Sequence, residues 1–179
     1  MSFHKLKINK IHSLTPEASA ISFEVPSSIK HHFEYLSGQY ISLKATIKGE
    51  EVRRSYSLCS APSEVSLEVG IKRIKDGLFS TYAIQELKVG DLLEVGEPEG
   101  RFVYKKEAKN TTAFAAGSGI TPIYSILKSA LAEGRETHFT LVYGNKSPGD
   151  TLFYEELKKL ESEFPAQLKI LWLFSQSNE

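Results

Sequence analysis

Three short segments carry residue types able to hold a phosphate or a flat ring. Gly117-Ser118-Gly119-Ile120-Thr121-Pro122 lies between an apolar run and a helical pattern. Glycines let a backbone approach a phosphate closely, and the helix that follows offers unpaired N–H groups and the positive end of its dipole. The segment is neither the dinucleotide G-x-G-x-x-G fingerprint nor a P-loop, which ends in Gly-Lys-Ser/Thr. Taken alone, it reads equally well as a tight strand–helix turn. Arg54-Ser55-Tyr56-Ser57 lies in or beside a predicted strand. Arg54 suits a phosphate, Tyr56 a planar ring and Ser57 a ring heteroatom, although a solvated arginine and a half-buried strand tyrosine are the ordinary reading. Gly77-Leu78-Phe79-Ser80 precedes a short helical pattern. There a glycine and a hydroxyl serve a phosphate or a plain N-cap alike.

The elements that must position these segments follow two grammars. Up to about residue 105, short runs rich in Val, Ile, Tyr and Phe alternate with turn signals at Gly38, Gly49, Gly90 and Pro98-Glu99-Gly100. Strands are predicted over 20–25, 40–47, 66–71 and 92–95, which is the spacing of a small antiparallel barrel or sandwich. One helix interrupts them over 80–87, with Ser80 as its N-cap. A polar stretch at 105–110 marks the boundary, giving an all-β antiparallel barrel over 1–107 and an α/β unit over 108–179. In the second unit a strand over 112–116 precedes a helix over 122–132, with Pro122 at its first position. A strand over 139–143, a helix over 151–160 and a strand over 168–174 follow. Such alternation means a parallel sheet with right-handed crossovers.

Composition narrows the function classes. Among 179 residues, Lys plus Arg equals Asp plus Glu at 22 each, so no bulk charge draws the chain to nucleic acid or an anionic membrane. Neither a signal-like apolar start nor a membrane-length apolar run is present, and the expected compartment is the cytoplasm. The single cysteine, Cys59, rules out an intrachain disulfide and a cluster held by four cysteines of this chain, and it reads as a small buried residue. His31-His32 is expected in a solvated loop, because adjacent residues of an extended chain point to opposite faces; no metal site is expected. Lys105-Lys106 and Lys158-Lys159 read as solvated, the second pair late in its helix where cations suit the dipole. Trp172 reads as core.

Taken in order, Arg-x-Tyr-Ser at 54–57, Gly-x-x-Ser at 77–80 and Gly-x-Gly-Ile-Thr-Pro at 117–122 resemble the ferredoxin–NADP reductase superfamily of flavoproteins. Gly38-Gln39-Tyr40, Val69-Gly70-Ile71-Lys72-Arg73 and Tyr143-Gly144-Asn145-Lys146 agree. Within it, Tyr143-Gly144-Asn145-Lys146 and Leu173-Phe174-Ser175-Gln176 are similar to the reductase subunits of phenylacetyl-CoA epoxidase systems. The resemblance implies FAD as cofactor and NADH or NADPH as substrate. Arg54 would contact the FAD pyrophosphate with Ser55 beside it, Tyr56 would pack on the isoalloxazine, and Ser57 would bond near its N5. Ile71 and Lys72 would line the cofactor through backbone, and Gly77, Phe79 and Ser80 would form the pyrophosphate cradle. Gly117, Ser118, Gly119, Thr121 and Pro122 would receive the NAD(P)H pyrophosphate. Tyr56, Ser57 and Thr121 would stand nearest the reacting ring.

The same resemblance implies a ferredoxin-type [2Fe-2S] domain or protein and an oxygenase as partners. Reductases of this type continue through further strands that would pair with the strand over 112–116. The chain is therefore expected to be part of a longer reductase, with an exposed sheet edge inviting a dimer and with FAD bound better than NAD(P)H. Two other readings stand beside this one: a non-catalytic FAD-binding electron-transfer subunit of the dihydroorotate dehydrogenase accessory type, and a barrel used only for protein binding.

Overall fold

The computed structural model describes residues 2–105, 109–132, 134 and 136–176. Its first unit is an antiparallel six-stranded sheet. The strands are β1 (Phe3–Thr15), β2 (Ala18–Glu24), β3 (Tyr40–Ile47), β4 (Glu50–Ser57), β5 (Leu67–Lys72) and β6 (Leu92–Gly96), in the order β4-β3-β6-β1-β2-β5. An isolated bridge from Leu58 to Val69 brings the end of β4 back to β5, the other edge, and so curls the sheet into a barrel. Alternate residues fill its interior: Leu6, Ile8, Ile21, Ile41, Leu43, Val69, Ile71 and Val95 are fully buried. β1, absent from the expected strands, keeps this alternation only as far as Ile8. Register shifts between Ile8 and Lys10 and between Ser13 and Thr15 then break its period. The β3–β4 hairpin turns through Lys48 and Gly49, both with positive φ (52° and 85°), as the twist-matched two-residue turn needs.

The second unit is a parallel sheet, β7 (Asn110–Ala116), β8 (His138–Asn145) and β9 (Leu168–Phe174), in the order β7-β8-β9. The barrel-then-α/β architecture is the expected one, while several boundaries move. The barrel helix α1 spans Leu78–Gln85 with Gly77 as N-cap. Ser80 is therefore inside the first turn. Helix α2 spans Ile120–Ala132, so Pro122 is its third residue; a proline is tolerated there because first-turn N–H groups have no intrahelical partner anyway. Helix α3 spans Tyr154–Glu163 and starts after Phe153, which holds a left-handed φ of 59°. The later start places Lys158 and Lys159 mid-helix, paired with Glu155 and Glu163 rather than set against the C-terminal dipole. Trp172 is only half-buried, edge-on to Tyr154 with ring centroids 4.8 Å apart. His31 and His32 lie on a 3-10 turn (Ser27–Phe33), not in extended chain. Cys59 is buried, and burial pushes its thiol pKa up. Lys106 and Ser177 lie outside the described residues. Among the described residues, no helix is long and apolar enough to cross a membrane.

The two units share a core in which Ala18, Ala20 and Cys59 of the barrel pack with Ile123, Tyr124 and Leu127 of α2. Polar links flank it. The Ser125 hydroxyl donates to the Ser60 carbonyl at 2.6 Å, Ser37 and Ser129 hydroxyls meet at 2.6 Å, and Lys128 pairs with Glu64 at 2.7 Å. The Ser125 bond is fully buried, and its loss leaves a carbonyl without that partner. Ser125→Ala is expected to destabilise the chain by about 1–2 kcal/mol, read as a lower denaturant midpoint with unchanged m-value.

The outer edge of β7 has no neighbour among the described residues, and Phe114 stands there 76% exposed.

Candidate functional site

Strand alternation brings the Tyr-Ser strand end of β4 and the start of α2 to one groove. β5 sends Val69 and Ile71 into the barrel interior, so Gly70 between them faces the second unit. Ser55, Tyr56 and Ser57 at the end of β4, Gly70 and Lys72 of β5, Arg73 and Ile74 of the next loop, and Ser118 and Thr121 line a cavity of about 470 Å³. Tyr56 packs on Phe79 with ring centroids 5.8 Å apart. Burial pushes its phenol pKa up to about 12, so the ring stays neutral at physiological pH. Phe79 is buried in the barrel core and supports Tyr56 from behind. Ile71 is likewise a core side chain and does not line the groove, unlike its neighbours Gly70 and Lys72. Thr121 is nearly buried and donates its hydroxyl to the Ser118 carbonyl at 3.1 Å, bracing the turn ahead of α2.

Gly70 is a site residue that the sequence marks without giving its reason. A Cβ there would stand 2.7 Å from the Thr121 methyl and 3.5 Å from the Phe153 ring. The barrel and the start of α2 meet at this point with no room for a side chain.

The start of α1 opens on a second cavity of about 590 Å³, lined by Lys48, Arg73, Lys75, Gly77, Thr81 and Glu17 among others. The Ser80 hydroxyl accepts from the Ile74 N–H at 3.1 Å and donates to the Gly77 carbonyl at 3.3 Å. It therefore ties the loop to the helix, and a Cβ on Gly77 would meet it at 2.5 Å. Groups free for an anion here are the first-turn backbone N–H groups. Arg73 grips Glu17 through two bonds of 2.5 and 2.7 Å, which holds the Glu17 carboxyl below its usual range. Arg54 is exposed on β4 and donates to the Arg53 carbonyl at 2.7 Å.

The third motif sits at the carboxyl ends of the parallel strands. Gly117–Gly119 forms one 3-10 turn, with Gly117 at a φ of 51°. The Tyr143 hydroxyl donates to the Gly117 carbonyl at 2.9 Å and fixes the turn to β8. Gly117, Gly144, Asn145, Lys146, Phe174 and Ser175 line a cleft of about 490 Å³ that Lys72 also reaches. Pro122 is half-buried on α2, behind the turn. Lys72 thus borders both the groove and the cleft.

A barrel groove flanked by a helix start, joined to a parallel sheet with a cleft at its strand ends, is the frame of a two-part flavin- and nicotinamide-nucleotide-binding oxidoreductase module. Residues 5–104 match the oxidoreductase FAD-binding domain and residues 114–179 the oxidoreductase NAD-binding domain. The chain belongs to the ferredoxin–NADP reductase family of FAD-binding oxidoreductases.

It is 39% identical, over 98% of its length, to one of the subunits of 1,2-phenylacetyl-CoA epoxidase from Escherichia coli (strain K12). It is 36% identical, over 95% of its length, to the ferredoxin reductase component of 3-ketosteroid-9-alpha-monooxygenase from Rhodococcus rhodochrous. The chain spans 50% and 49% of these two proteins, about half the length of the curated relatives it matches. Among solved structures, phthalate dioxygenase reductase, described as modular for electron transfer from pyridine nucleotides to [2Fe-2S], superposes with a TM-score of 0.82 at 26% identity, covering 99% of this chain and 53% of that one. The flavohem-like FAD/NAD-binding domain of nitric oxide dioxygenase from Vibrio cholerae O1 biovar El Tor gives 0.86 at 24% identity over 98% of this chain and 75% of that one, a likeness of fold alone.

Proposed function

We propose that the chain is the flavin-binding and nucleotide-docking part of a reductase that moves electrons from NAD(P)H through FAD to an iron–sulfur acceptor. That acceptor would serve an oxygenase of phenylacetate-type aromatic degradation. The observation that carries the reading is the groove where the Arg-x-Tyr-Ser strand end, Gly70 and the Gly-x-Gly turn converge. FAD fits the residues present: Gly70 lets Thr121 close against β5 at the groove wall, where a Cβ would meet its methyl at 2.7 Å, and Tyr56 supplies a neutral aromatic surface beside it. Arg54, Ser55, Tyr56, Ser57, Ile71, Lys72, Gly77 and Ser80 would hold the cofactor, with Phe79 behind Tyr56. Gly117, Ser118, Gly119, Thr121 and Pro122 would form the nucleotide turn. The division of labour falls at about residue 107, between the barrel and the α/β unit.

Bound there, FAD would supply hydride acceptance and one-electron release, while the protein positions and tunes it. Tyr56 presents its ring and keeps its proton. Lys72 places a cation between groove and cleft, favouring anionic groups in both. Thr121 commits its hydroxyl to the Ser118 carbonyl and so orients the turn. Lys146 borders the cleft, where it would meet a nucleotide phosphate.

Calorimetric titration tests this reading. One FAD per chain is expected at micromolar affinity or better, with NADH and NADPH at least about tenfold weaker. Tight NADH binding without FAD binding would overturn it. The open β7 edge favours a dimer at high concentration; a strictly monomeric sedimentation profile would remove that part.

A further inference from the structure

We propose a divalent-cation site of the zinc type at His4, His32 and Glu97, on three elements that fold together at one end of the barrel. His4 is the second residue of β1 and faces Val95 of β6 in the sheet register. Glu97 follows the last residue of β6, and the 3-10 turn carrying His32 lies over the same end. The ligand atoms converge. Nε2 of His4 lies 3.2 Å and Nδ1 of His32 lies 3.1 Å from the same Glu97 Oε1. All three lie within 4.8 Å of one another.

The two nitrogen–carboxylate spacings are close to what a small cation needs, and the two imidazole nitrogens need only close up around it. Bonds of about 2.0–2.1 Å in a tetrahedral site put neighbouring ligands roughly 3.3–3.4 Å apart. Two imidazoles are borderline ligands that favour zinc and its neighbours over magnesium or calcium, and one carboxylate completes a ligand set that zinc accepts. The side chains are 20%, 40% and 32% exposed for His4, His32 and Glu97, so water can complete the coordination. Phe33, buried beneath, meets the His4 ring edge-on at 5.4 Å and limits its rotation. His31 packs on His32 with ring centroids 4.1 Å apart and planes tilted by 39°, but contributes no atom to the cluster.

Neither the flavin groove nor the nucleotide cleft contains any of these three residues. The cation would therefore brace the fold, clamping the first strand and the turn to the end of β6. The turn geometry is what the adjacent histidines concealed: in extended chain His32 would have no reason to point at His4.

Equilibrium dialysis of the tag-free, FAD-loaded chain against zinc chloride, with metal counted by mass spectrometry, tests the assignment. One zinc per chain is expected at micromolar affinity, together with a raised thermal midpoint. His32→Ala and Glu97→Gln should each weaken binding at least about tenfold, whereas His31→Ala should leave it unchanged. Retained FAD content shows that each variant still folds. No zinc uptake at about 0.1 mM, parental affinity in both ligand variants, or an equal loss in His31→Ala would overturn the site.

Discussion

A Gly70→Val variant is expected to bind FAD at least about tenfold more weakly than the parent chain and to unfold at lower denaturant. β5 carries its neighbours Val69 and Ile71 into the barrel core, so whatever replaces the Gly70 hydrogen must go outward, into the groove. There the first added carbon meets the Thr121 methyl at 2.7 Å. Phe153 cannot give way: it is buried, and it stacks on Tyr124 with ring centroids 4.4 Å apart. Thr121 is held by its bond to the Ser118 carbonyl, so relief displaces the Gly117–Gly119 turn and widens the groove. Overpacking of this kind costs about 1–3 kcal/mol, and each 1.4 kcal/mol is a factor of ten in affinity. A milder pair isolates the cause. Gly70→Ala alone should weaken binding, and adding Thr121→Ser, which deletes the offending methyl, should restore part of it. Double-mutant coupling of about 0.5–3 kcal/mol is the expected readout, and additivity would refute the contact. Parental FAD affinity in Gly70→Val would refute the placement of the groove itself.

How much of this was legible beforehand depended on the range of the interaction. The barrel strands over 40–47 and 66–71 and the β-α-β-α-β unit announce themselves because each buries a periodic set of apolar residues. β1 does not, since its bulges break the alternation after Ile8. The three motifs were readable as ordered residue types, and the structure brings Tyr56, Ser57, Lys72, Ser118 and Thr121 to one groove. Roles decided by packing were not. Nothing local says that Ser80 ties the loop at Ile74 instead of capping α1, or that Gly70 faces Thr121 some fifty positions away. Helix starts moved for a similar reason. Phe153 adopts a left-handed conformation because the core between α2 and β5 takes its ring, and α3 can begin only after it. The His4–His32–Glu97 cluster is the extreme case: its members are separated by 28 and 65 positions, so only the folded barrel assembles them.

Tyr56→Ala is expected to lower FAD affinity by about ten- to a hundredfold, while Tyr56→Phe stays within about threefold of the parent. The distinction follows from what the side chain does. Its ring leans on Phe79 and belongs partly to the barrel core, so truncation removes a packed aromatic surface at the groove and loosens Phe79 behind it. Its hydroxyl, by contrast, is not called on to ionise. Burial raises the phenol pKa from 10 to about 12, against a smaller opposing pull from Arg54. The sign for stability follows. A raised folded-state pKa means that the folded protein keeps a proton the unfolded chain would release. The stabilising contribution is thus complete below about pH 10 and is lost as pH rises through about 12. Between pH 6 and 9 the FAD affinity of the parent and of Tyr56→Phe should therefore run parallel, with no inflection from this residue. Fluorescence titrations of FAD at pH 6, 7.5 and 9 would measure it. If Tyr56→Phe fell as far as Tyr56→Ala, the hydroxyl rather than the ring would be the binding element. An inflection lost only in Tyr56→Phe would mean that the phenol ionises in the groove despite its burial.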